Sequence, residues 1–245
     1  MPIYQKVMKI SNLIQKQQFN PNLLGIFVNP FYFARRGLFK DISNLAHRLK
    51  GKTLDVGCGS KPYKALFREI TEYVGMEFDS VANRTKGQAE VFYNGQHFPF
   101  DDDYFDSVVA TEVLEHVFNP DEFLSEISRV LKTDGQLLIT TPFVWDEHEQ
   151  PYDFARYSSF GLTHLLKKHS LEVVEHKKTN ANIKVVFQII NCYIHKIIPF
   201  KNYKLRLFFY IIFISPFTIL GIILSHLLPQ NNDLYLSNVV LAKKI

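Results

Sequence analysis

The sequence predicts an α/β fold built on a doubly wound, mostly parallel sheet, and three stretches support this prediction. In Thr53–Ser60, TLDVGCGS, an apolar run ends on an acid and then breaks into two glycines flanking a cysteine. A second apolar run follows at residues 73–78, YVGMEF, and Phe105–Thr111 has the apolar character of a buried central strand. A strand, a crossover and a second strand in this order form a right-handed parallel unit.

Composition sets the outer bounds of the prediction. A chain of 245 residues accommodates one sizeable domain, or one domain with an appendage. The net charge is +4 and no basic run with interleaved aromatic residues marks a nucleic-acid surface, so we expect no nucleic-acid partner. Cys58 and Cys192 are too few for a disulfide framework, and the N-terminus lacks the apolar core of a signal peptide. A cytoplasmic protein is therefore expected.

Helices are predicted before and after the glycine loop. Residues 4–18 and 31–49 have apolar positions at helical spacing, and Gly51 follows the second segment as glycine commonly follows a helix. After the loop, we expect a crossover helix near residues 63–70, leading into the strand at residues 73–78.

The glycine loop selects its ligand by charge. Gly57 and Gly59 permit positive φ, so a ligand can lie directly against the backbone. Asp55 would repel a phosphate here and attract an ammonium group. The expected ligand therefore carries a cation near the loop. S-adenosylmethionine fits, because it has an ammonium and a sulfonium at one end and an adenosine at the other.

The same stretch resembles the first motif of the class I S-adenosylmethionine-dependent methyltransferases, in which a strand ends in an acid followed by a glycine-rich loop. This resemblance implies that the loop residues bind the cofactor, namely Asp55, Gly57, Cys58 and Gly59. Lys61 stands where the family often has a third glycine, which leaves the detail of the loop open.

An acid at the end of the second strand should bind the ribose, because a carboxylate accepts two hydrogen bonds side by side. Glu77 lies about twenty residues beyond the loop, as such an acid commonly does, and Asp79 is the alternative. By the same resemblance, the apolar-Pro-Phe triplet at residues 98–100 places Asn94 and Gly95 beside the adenine.

The segment EVLEHV, residues 112–117, follows the buried strand. Open α/β sheets bind ligands at the carboxyl ends of their strands, so Glu112 is expected to contact the cofactor. His116 is a candidate base near neutral pH, with the alternative that Glu115 and His116 only orient a helix turn. Together with RVLKTDGQLLITTP, residues 129–142, the segment resembles motifs of this methyltransferase family, which implies a Rossmann-like seven-stranded sheet with an antiparallel last strand.

The remaining core elements follow in order. Apolar positions in residues 121–131 form one helix face. A Thr-Asp-Gly turn separates this helix from a strand at residues 136–141, which Pro142 ends. A helix at residues 162–168 and a strand at residues 171–175 come next.

The segment after Pro142 is the predicted acceptor site. It is dense in polar and aromatic residues, for which a lid packed for structural reasons is the alternative. The residues expected to contact the substrate are Trp145, Tyr152, Arg156 and Tyr157. Arg156 suits a forked contact to an acidic or phosphorylated acceptor, or it pairs with Asp153. His148 is the preferred base for a hydroxyl acceptor and His116 the second choice, and no metal is expected.

An apolar tail separates the core from its last strand. Residues 183–229 are predicted to form an apolar helical hairpin, which faces a membrane surface or packs on the domain. One full crossing would leave the last strand, within residues 230–245, on the wrong side of the membrane. The predicted organisation is thus a helical cap at 1–50, a cofactor-binding core at 51–182, the hairpin, and the returning strand.

The string HEQPYDFARY, residues 148–157, resembles a segment of a bacterial methyltransferase group placed in polysaccharide or cell-envelope biosynthesis. This resemblance implies a saccharide or lipid-linked acceptor. We expect O-methylation of such an intermediate, with the apolar hairpin at the inner face of the membrane. A catalytically inactive fold that tethers a complex to a membrane is one alternative. A nicotinamide-dependent oxidoreductase is another, but Asp55 and the missing third glycine disfavour it.

Overall fold

The computed structural model describes residues 17–245, so the helix predicted at residues 4–18 lies outside the described residues except for its end. Beyond residue 24 the helices are α1 (Gly25–Val28), α2 (Tyr32–Leu45), α3 (Val81–Lys86), α4 (Pro120–Val130), α5 (Ser159–Lys168), α6 (Lys184–Ile197), α7 (Tyr203–Phe209) and α8 (Ser215–Leu227). The strands are β1 (Lys50–Val56), β2 (Glu69–Phe78), β3 (Val91–Tyr93), β4 (Phe105–Thr111), β5 (Leu131–Pro142), β6 (Leu171–Lys178) and β7 (Ser237–Lys244). The described chain divides into two compact units.

One unit, residues 41–143, 147–177 and 237–245, contains a seven-stranded sheet. The strand order is β3-β2-β1-β4-β5-β7-β6. Strand β1 pairs in parallel with β2 and β4, and β4 pairs in parallel with β5. Strand β7 pairs antiparallel with β5, which confirms the predicted antiparallel last strand. The carboxyl ends of β1, β2, β4 and β5 therefore meet at one edge of the sheet, where ligands bind in open α/β folds.

The core of this unit follows the predicted apolar pattern. Helix α4 buries four apolar side chains on one face, Phe123, Leu124, Ile127 and Val130. They pack in the same cluster as the apolar residues of β1, β4 and β5. Burial on both faces explains why β4 shows an apolar run without polar alternation.

The predicted crossover helix at residues 63–70 is wrong. The structure has a single 3₁₀ turn there, Lys64–Leu66, and β2 already begins at Glu69. The register explains the difference, because Lys50 at the start of β1 pairs with Glu69. Since β2 must begin level with β1, the residues between loop and strand leave room for only one turn.

Strand β5 begins at Leu131, earlier than the predicted Gln136. The predicted Thr-Asp-Gly turn lies within this strand, where the pairing with β4 is irregular. The pairing with β4 jumps from Phe105–Leu131 to Ser107–Gln136, and Asp134 has φ 67° between them. The predicted turn chemistry is therefore correct, while the strand continues on both sides of it.

The second unit comprises residues 144–146 and 178–236, together with the described residues up to 40. In it the buried Gln188 side chain of α6 accepts hydrogen bonds from the backbone N–H groups of Phe33 and Ala34, at 3.0 and 3.2 Å. The Asn191 amide donates to the Thr218 hydroxyl of α8 at 2.9 Å. These buried polar contacts join α6 to α2 and to α8.

Helices α7 and α8 form one continuous 25-residue helix, Tyr203–Leu227, through a π-helical stretch at Tyr210–Ile214. Pro216 lies just after this π-helical stretch, and its ring lacks the backbone N–H that other residues inside a continuous helix donate. The helix is apolar and long enough to cross a membrane, with a mean hydropathy of 2.5 over its most apolar window, of which 28% is buried.

Candidate active site

The glycine loop follows β1 and turns through two left-handed residues. Gly57 has φ 65° and Gly59 has φ 49°. A Cβ atom on Gly57 would lie 2.5 Å from a methyl carbon of Val113, so the backbone approaches the turn after β4 too closely for any side chain. Around a Cβ on Gly59, by contrast, no atom of the described chain lies within 4 Å. The loop is therefore tight on its inner side and open at Gly59.

Lys61 adopts the conformation of the glycine that it replaces, with φ 53°. Its ammonium contacts both carboxylate oxygens of Glu90, at 2.5 and 2.6 Å. Glu90 also accepts a hydrogen bond from the Gly75 N–H at 2.6 Å. Non-glycine residues rarely adopt this backbone conformation, and the ion pair holds the Lys61 side chain beside β2. Sequence analysis missed Glu90, whose only signal was an acid directly before β3.

Asp55 is a buried acid with an unsatisfied oxygen. The Tyr73 hydroxyl donates to its Oδ2 atom. Oδ1 is buried without a hydrogen-bond partner among residues 17–245. Burial raises the pKa of Asp55 to about 7, and the Tyr73 hydrogen bond opposes that shift. A cationic group facing Oδ1 would stabilise the ionised carboxylate.

Cys58 contributes its backbone to the glycine loop, and its thiol is not a reactive group. Its side chain is buried, with the sulfur against Gly75, where a Cβ atom would lie 2.8 Å from it. Burial raises the pKa of the thiol to about 12, so the group is neutral at physiological pH.

Glu77 lies at the end of β2 and contacts the loop directly. Its Oε1 accepts from the Gly59 N–H at 2.6 Å, and its Oε2 accepts from the Asn83 amide at 3.2 Å. The alternative acid, Asp79, forms an exposed fork with Arg84 at 2.5 and 2.8 Å. The structure thus brings Glu77, and not Asp79, to the glycine loop.

Asn94 uses its side-chain oxygen within its own turn. Oδ1 accepts from the N–H groups of Gln96 and His97, at 3.0 and 3.3 Å. This is the local competition for backbone donors that is typical of asparagine in turns. Gly95 beside it has φ 90° and approaches the Phe78 ring, which would lie 3.0 Å from a Cβ atom. The adenine contact of Asn94 and Gly95 stays a prediction.

Glu112 follows β4 in a left-handed conformation, with φ 55°. Its N–H donates to the Thr140 carbonyl at 3.1 Å, and the Thr140 hydroxyl donates to its Oε1 at 2.9 Å. Non-glycine residues rarely adopt this conformation, and neighbouring contacts must hold it in place. The carboxylate is therefore fixed at the carboxyl end of the central strand.

The two candidate bases lie side by side. The rings of His116 and His148 meet edge to face, with centroids 4.7 Å apart. His116 Nδ1 is 2.7 Å from the Tyr152 carbonyl oxygen, and His148 Nδ1 is 3.3 Å from Asp153 Oδ2. The structure thus joins residues from the turn after β4 and the segment after β5.

Arg156 pairs with Asp153, the predicted alternative to a contact with the acceptor. Its guanidinium binds both oxygens of Asp153, at 2.5 and 2.6 Å. The guanidinium holds the pKa of Asp153 well below its usual range. Asp153 also accepts from the His148 N–H at 2.9 Å, so the pair supports the segment that carries His148.

Glu115 is fully buried beside this cluster, and both of its oxygens lack a hydrogen-bond partner in the described part of the chain. Burial raises its pKa well above the usual range, and the charge of Glu112 adds to the shift. The apolar spacing of the sequence offered no signal for this environment, because Glu115 occupies a turn.

The predicted substrate residues differ in their surroundings. Tyr152 is exposed, with 65% of its surface accessible, and Tyr157 is half-buried against the core cluster. Trp145 belongs to the other unit, where its ring centroid lies 5.8 Å from that of Phe31.

Comparisons with known proteins place this geometry in context. Residues 31–181 match the family model of a methyltransferase domain. An uncharacterised protein of Methanocaldococcus jannaschii is 32% identical over 124 residues, which cover 49% of this chain and 53% of that protein. A probable S-adenosylmethionine-dependent methyltransferase of Mycolicibacterium smegmatis is 28% identical over 162 residues, 61% of this chain and 62% of the relative.

Among solved structures, a phosphoethanolamine N-methyltransferase of Haemonchus contortus in complex with S-adenosylmethionine aligns with a TM-score of 0.53. It is 18% identical, and the alignment covers 89% of this chain and 55% of that one, so it supports the fold alone. The chain spans about half to three-fifths of the curated relatives named above.

Proposed function

The chain belongs to the methyltransferase domain family, and from this premise we propose that it methylates a hydroxyl oxygen of a saccharide or lipid-linked acceptor. The family and the Rossmann-like fold are confirmed as the sequence predicted them. S-adenosylmethionine is the cofactor of this proposal. The acceptor, the methylated atom and the membrane association are the proposal.

The buried Oδ1 of Asp55 is the observation that carries the enzymatic part of this proposal. A carboxylate oxygen buried without a partner destabilises a fold unless a ligand completes its environment. The open space at Gly59 lies on the same loop. An amino-acid ammonium facing Asp55, beside a glycine backbone, satisfies both features, and a nicotinamide pyrophosphate does not.

The chain's own residues divide the binding among the ends of four strands, β1, β2, β3 and β4. Asp55 would face the ammonium group, and Glu77 would accept hydrogen bonds from the ribose hydroxyls. Asn94 and Gly95 would flank the adenine, and Glu112 would contact the cofactor at the carboxyl end of β4. When bound, S-adenosylmethionine supplies a methyl group whose leaving group is a neutral thioether.

The acceptor half of the site must position an oxygen and remove its proton. Holding the reacting atoms in line supplies most of the catalytic effect in such a transfer. His148, with His116 second, is the proposed group for the proton, because a neutral imidazole can accept it at physiological pH. Asp153 and Arg156 support the His148 segment, and Tyr152 offers an exposed aromatic surface to an acceptor.

The apolar helices support an acceptor at a membrane surface. Exposed apolar residues recur at helical spacing along Tyr203–Leu227: Leu205, Phe208, Ile212, Ile219, Ile223 and Leu227. A second exposed series on α6 is Val186, Ile189, Tyr193 and Ile197. Lys201 and Lys204 are exposed at the start of the long helix, where they suit anionic headgroups.

Chain connectivity limits how these helices enter lipid. Strands β6 and β7 belong to the same sheet, and the helices lie between them in sequence. A single helix that crossed the bilayer would leave β7 on the far side. We therefore propose an interfacial hairpin that enters and leaves one leaflet, and not a transmembrane anchor.

Calorimetric titration of S-adenosylmethionine, and separately of NADH, tests the enzymatic part. We expect micromolar binding of the sulfonium cofactor that Asp55→Ala abolishes, whereas Asp79→Ala, at an exposed acid paired with Arg84, leaves it intact. A folded protein that binds neither compound would favour the inactive tether. Transfer of a labelled methyl group into lipid-linked saccharides, compared with soluble sugars, then tests the acceptor class.

Flotation with anionic liposomes tests the membrane part. We expect the wild type to float with the vesicles and the variant Phe208→Asn/Ile212→Asn to remain below. Phe160→Asn is the control, because Phe160 is 85% exposed on α5. Flotation that is absent in the wild type, or equal in all three proteins, would contradict the interfacial hairpin.

A further inference from the structure

We propose that Glu115, His116 and His148 form a binding site for one divalent transition-metal ion. One possible ligand atom from each residue lies within 4.8 Å of the other two. The first two residues follow β4 and the third follows β5, and these neighbouring strands are parallel. The site does not depend on the proposed methyl transfer, since metal binding needs neither cofactor nor acceptor.

Glu115 is the residue that most needs a ligand. Its side chain is 0% exposed and neither oxygen has a hydrogen-bond partner in the described chain, residues 17–245. The Arg156 guanidinium interacts electrostatically with Glu115, but it donates hydrogen bonds to both carboxylate oxygens of Asp153. A carboxyl group buried in this way destabilises the fold unless something coordinates or neutralises it. The nearest imidazole nitrogen, His116 Nε2, lies 3.8 Å from Oε1.

The histidines have the orientation that metal ligation requires. A carbonyl oxygen only accepts, so His116 Nδ1 donates to the Tyr152 carbonyl at 2.7 Å, and Nε2, on the side of Glu115, is the nitrogen offered to an ion. His148 Nδ1 faces the Asp153 carboxylate at 3.3 Å. Metal-binding histidines are commonly held in this way, by a carbonyl or carboxylate on the nitrogen that does not bind the ion.

The donor set selects the kind of ion. Two imidazoles and one carboxylate suit Zn²⁺, Co²⁺ or Fe²⁺, whereas Mg²⁺ and Ca²⁺ prefer oxygen ligands. Zinc bonds of about 2.0–2.2 Å place tetrahedral ligand atoms roughly 3.4 Å apart. The present separations, up to 4.8 Å, need a modest contraction by side-chain rotation.

Three protein ligands leave a coordination position open for water or an acceptor oxygen. With the ion bound, His116 and His148 hold it and do not act as free bases. The bound ion would then acidify an acceptor hydroxyl that coordinates it, and the hydroxyl proton would pass to solvent water in place of a histidine base.

Metal titration of the full chain, without an affinity tag and after treatment with a chelator, tests the site. We expect one equivalent of Co²⁺ to give a visible ligand-field spectrum, Zn²⁺ to displace it and Mg²⁺ to leave it unchanged. Glu115→Gln, His116→Ala and His148→Ala should each weaken binding at least about tenfold. The controls Glu122→Gln and His164→Ala, at exposed positions, should bind like the wild type.

Two results would overturn the proposal. One is that the wild type binds the metal and none of the three substitutions weakens that binding. The other is that the wild type binds the metal no more tightly than the His148→Ala variant does. Glu115→Gln replaces a buried carboxyl with an amide of the same shape and is expected to fold, which urea unfolding verifies. Residues 1–16 contain no histidine, cysteine or carboxylate side chain to complicate the titration. Calorimetry of cofactor binding to the metal-free protein tests the proposed function separately.

Discussion

Cofactor affinity should depend on pH through one buried group, Asp55. Burial raises the pKa of its carboxyl to about 7 in the free protein, so the group is mostly neutral below that pH. An ammonium group facing Asp55 favours the ionised form, and binding therefore releases a proton. Affinity should rise with pH up to about 7. It should fall again above about pH 8, where the α-amino group of the cofactor loses its charge.

The size of the effect follows from the same pKa. With the carboxyl ionised in the complex, the dissociation constant changes by roughly tenfold per pH unit well below pH 7. Between about pH 7 and pH 5.5 the affinity should drop by about 15-fold, and about 0.9 proton should be released per cofactor near pH 6. Calorimetry in two buffers of different ionisation enthalpy measures both quantities.

Two variants separate this mechanism from a general pH effect. Asp55→Asn should bind weakly, without proton release and without a pH slope in this range. Tyr73→Phe removes the hydrogen bond that lowers the pKa of Asp55, so the midpoint should move to higher pH. Wild-type binding that is independent of pH and releases no proton would refute the reasoning.

The same group predicts a stability trend in the free protein. Because the pKa is raised on folding, the stabilisation from neutral Asp55 is fully present below about pH 3.8 and is lost by about pH 7. A shift of about three pKa units corresponds to on the order of 4 kcal/mol. Urea unfolding at neutral pH should therefore find Asp55→Asn more stable than the wild type, and a less stable variant would contradict this expectation.

The remaining predictions concern binding and packing. Glu77→Gln should weaken cofactor binding by about 2 kcal/mol in calorimetry, because a charged acceptor is lost, and an unchanged affinity would assign the ribose to another group. Gly57→Ala should lower the free energy of unfolding by about 2–4 kcal/mol, since its Cβ atom would lie 2.5 Å from Val113. Gly87→Ala, also at positive φ but with its nearest neighbour 4.0 Å away, should cost only about 1 kcal/mol. Asn191→Ala should lower the unfolding free energy by about 1–3 kcal/mol, and equal urea midpoints would show that its buried hydrogen bond contributes nothing.

Local patterns were sufficient for most of the sheet and for the glycine loop. Three patterns act within a few residues and could therefore be recognised in the sequence. They are the spacing of acid and glycines in TLDVGCGS, the apolar run of β4 and the proline that ends β5. The same holds for the helix face of α4, whose buried residues follow the 3.6-residue period. Glu77 could be expected at the end of the second strand because it lies about twenty residues beyond the glycine loop.

Contacts between distant residues were decided only by the tertiary structure. Lys61 and Glu90 are 29 residues apart and Asp55 and Tyr73 are 18 apart, so neither pairing has a local signature. The prediction of a crossover helix was wrong because the pairing register of β1 with β2 sets where the second strand begins. That register depends on residues distant in sequence. The surroundings of Glu115 were likewise decided only by the tertiary structure. Its burial beside two histidines results from the packing of two strand ends, which the order of residues along one turn does not encode.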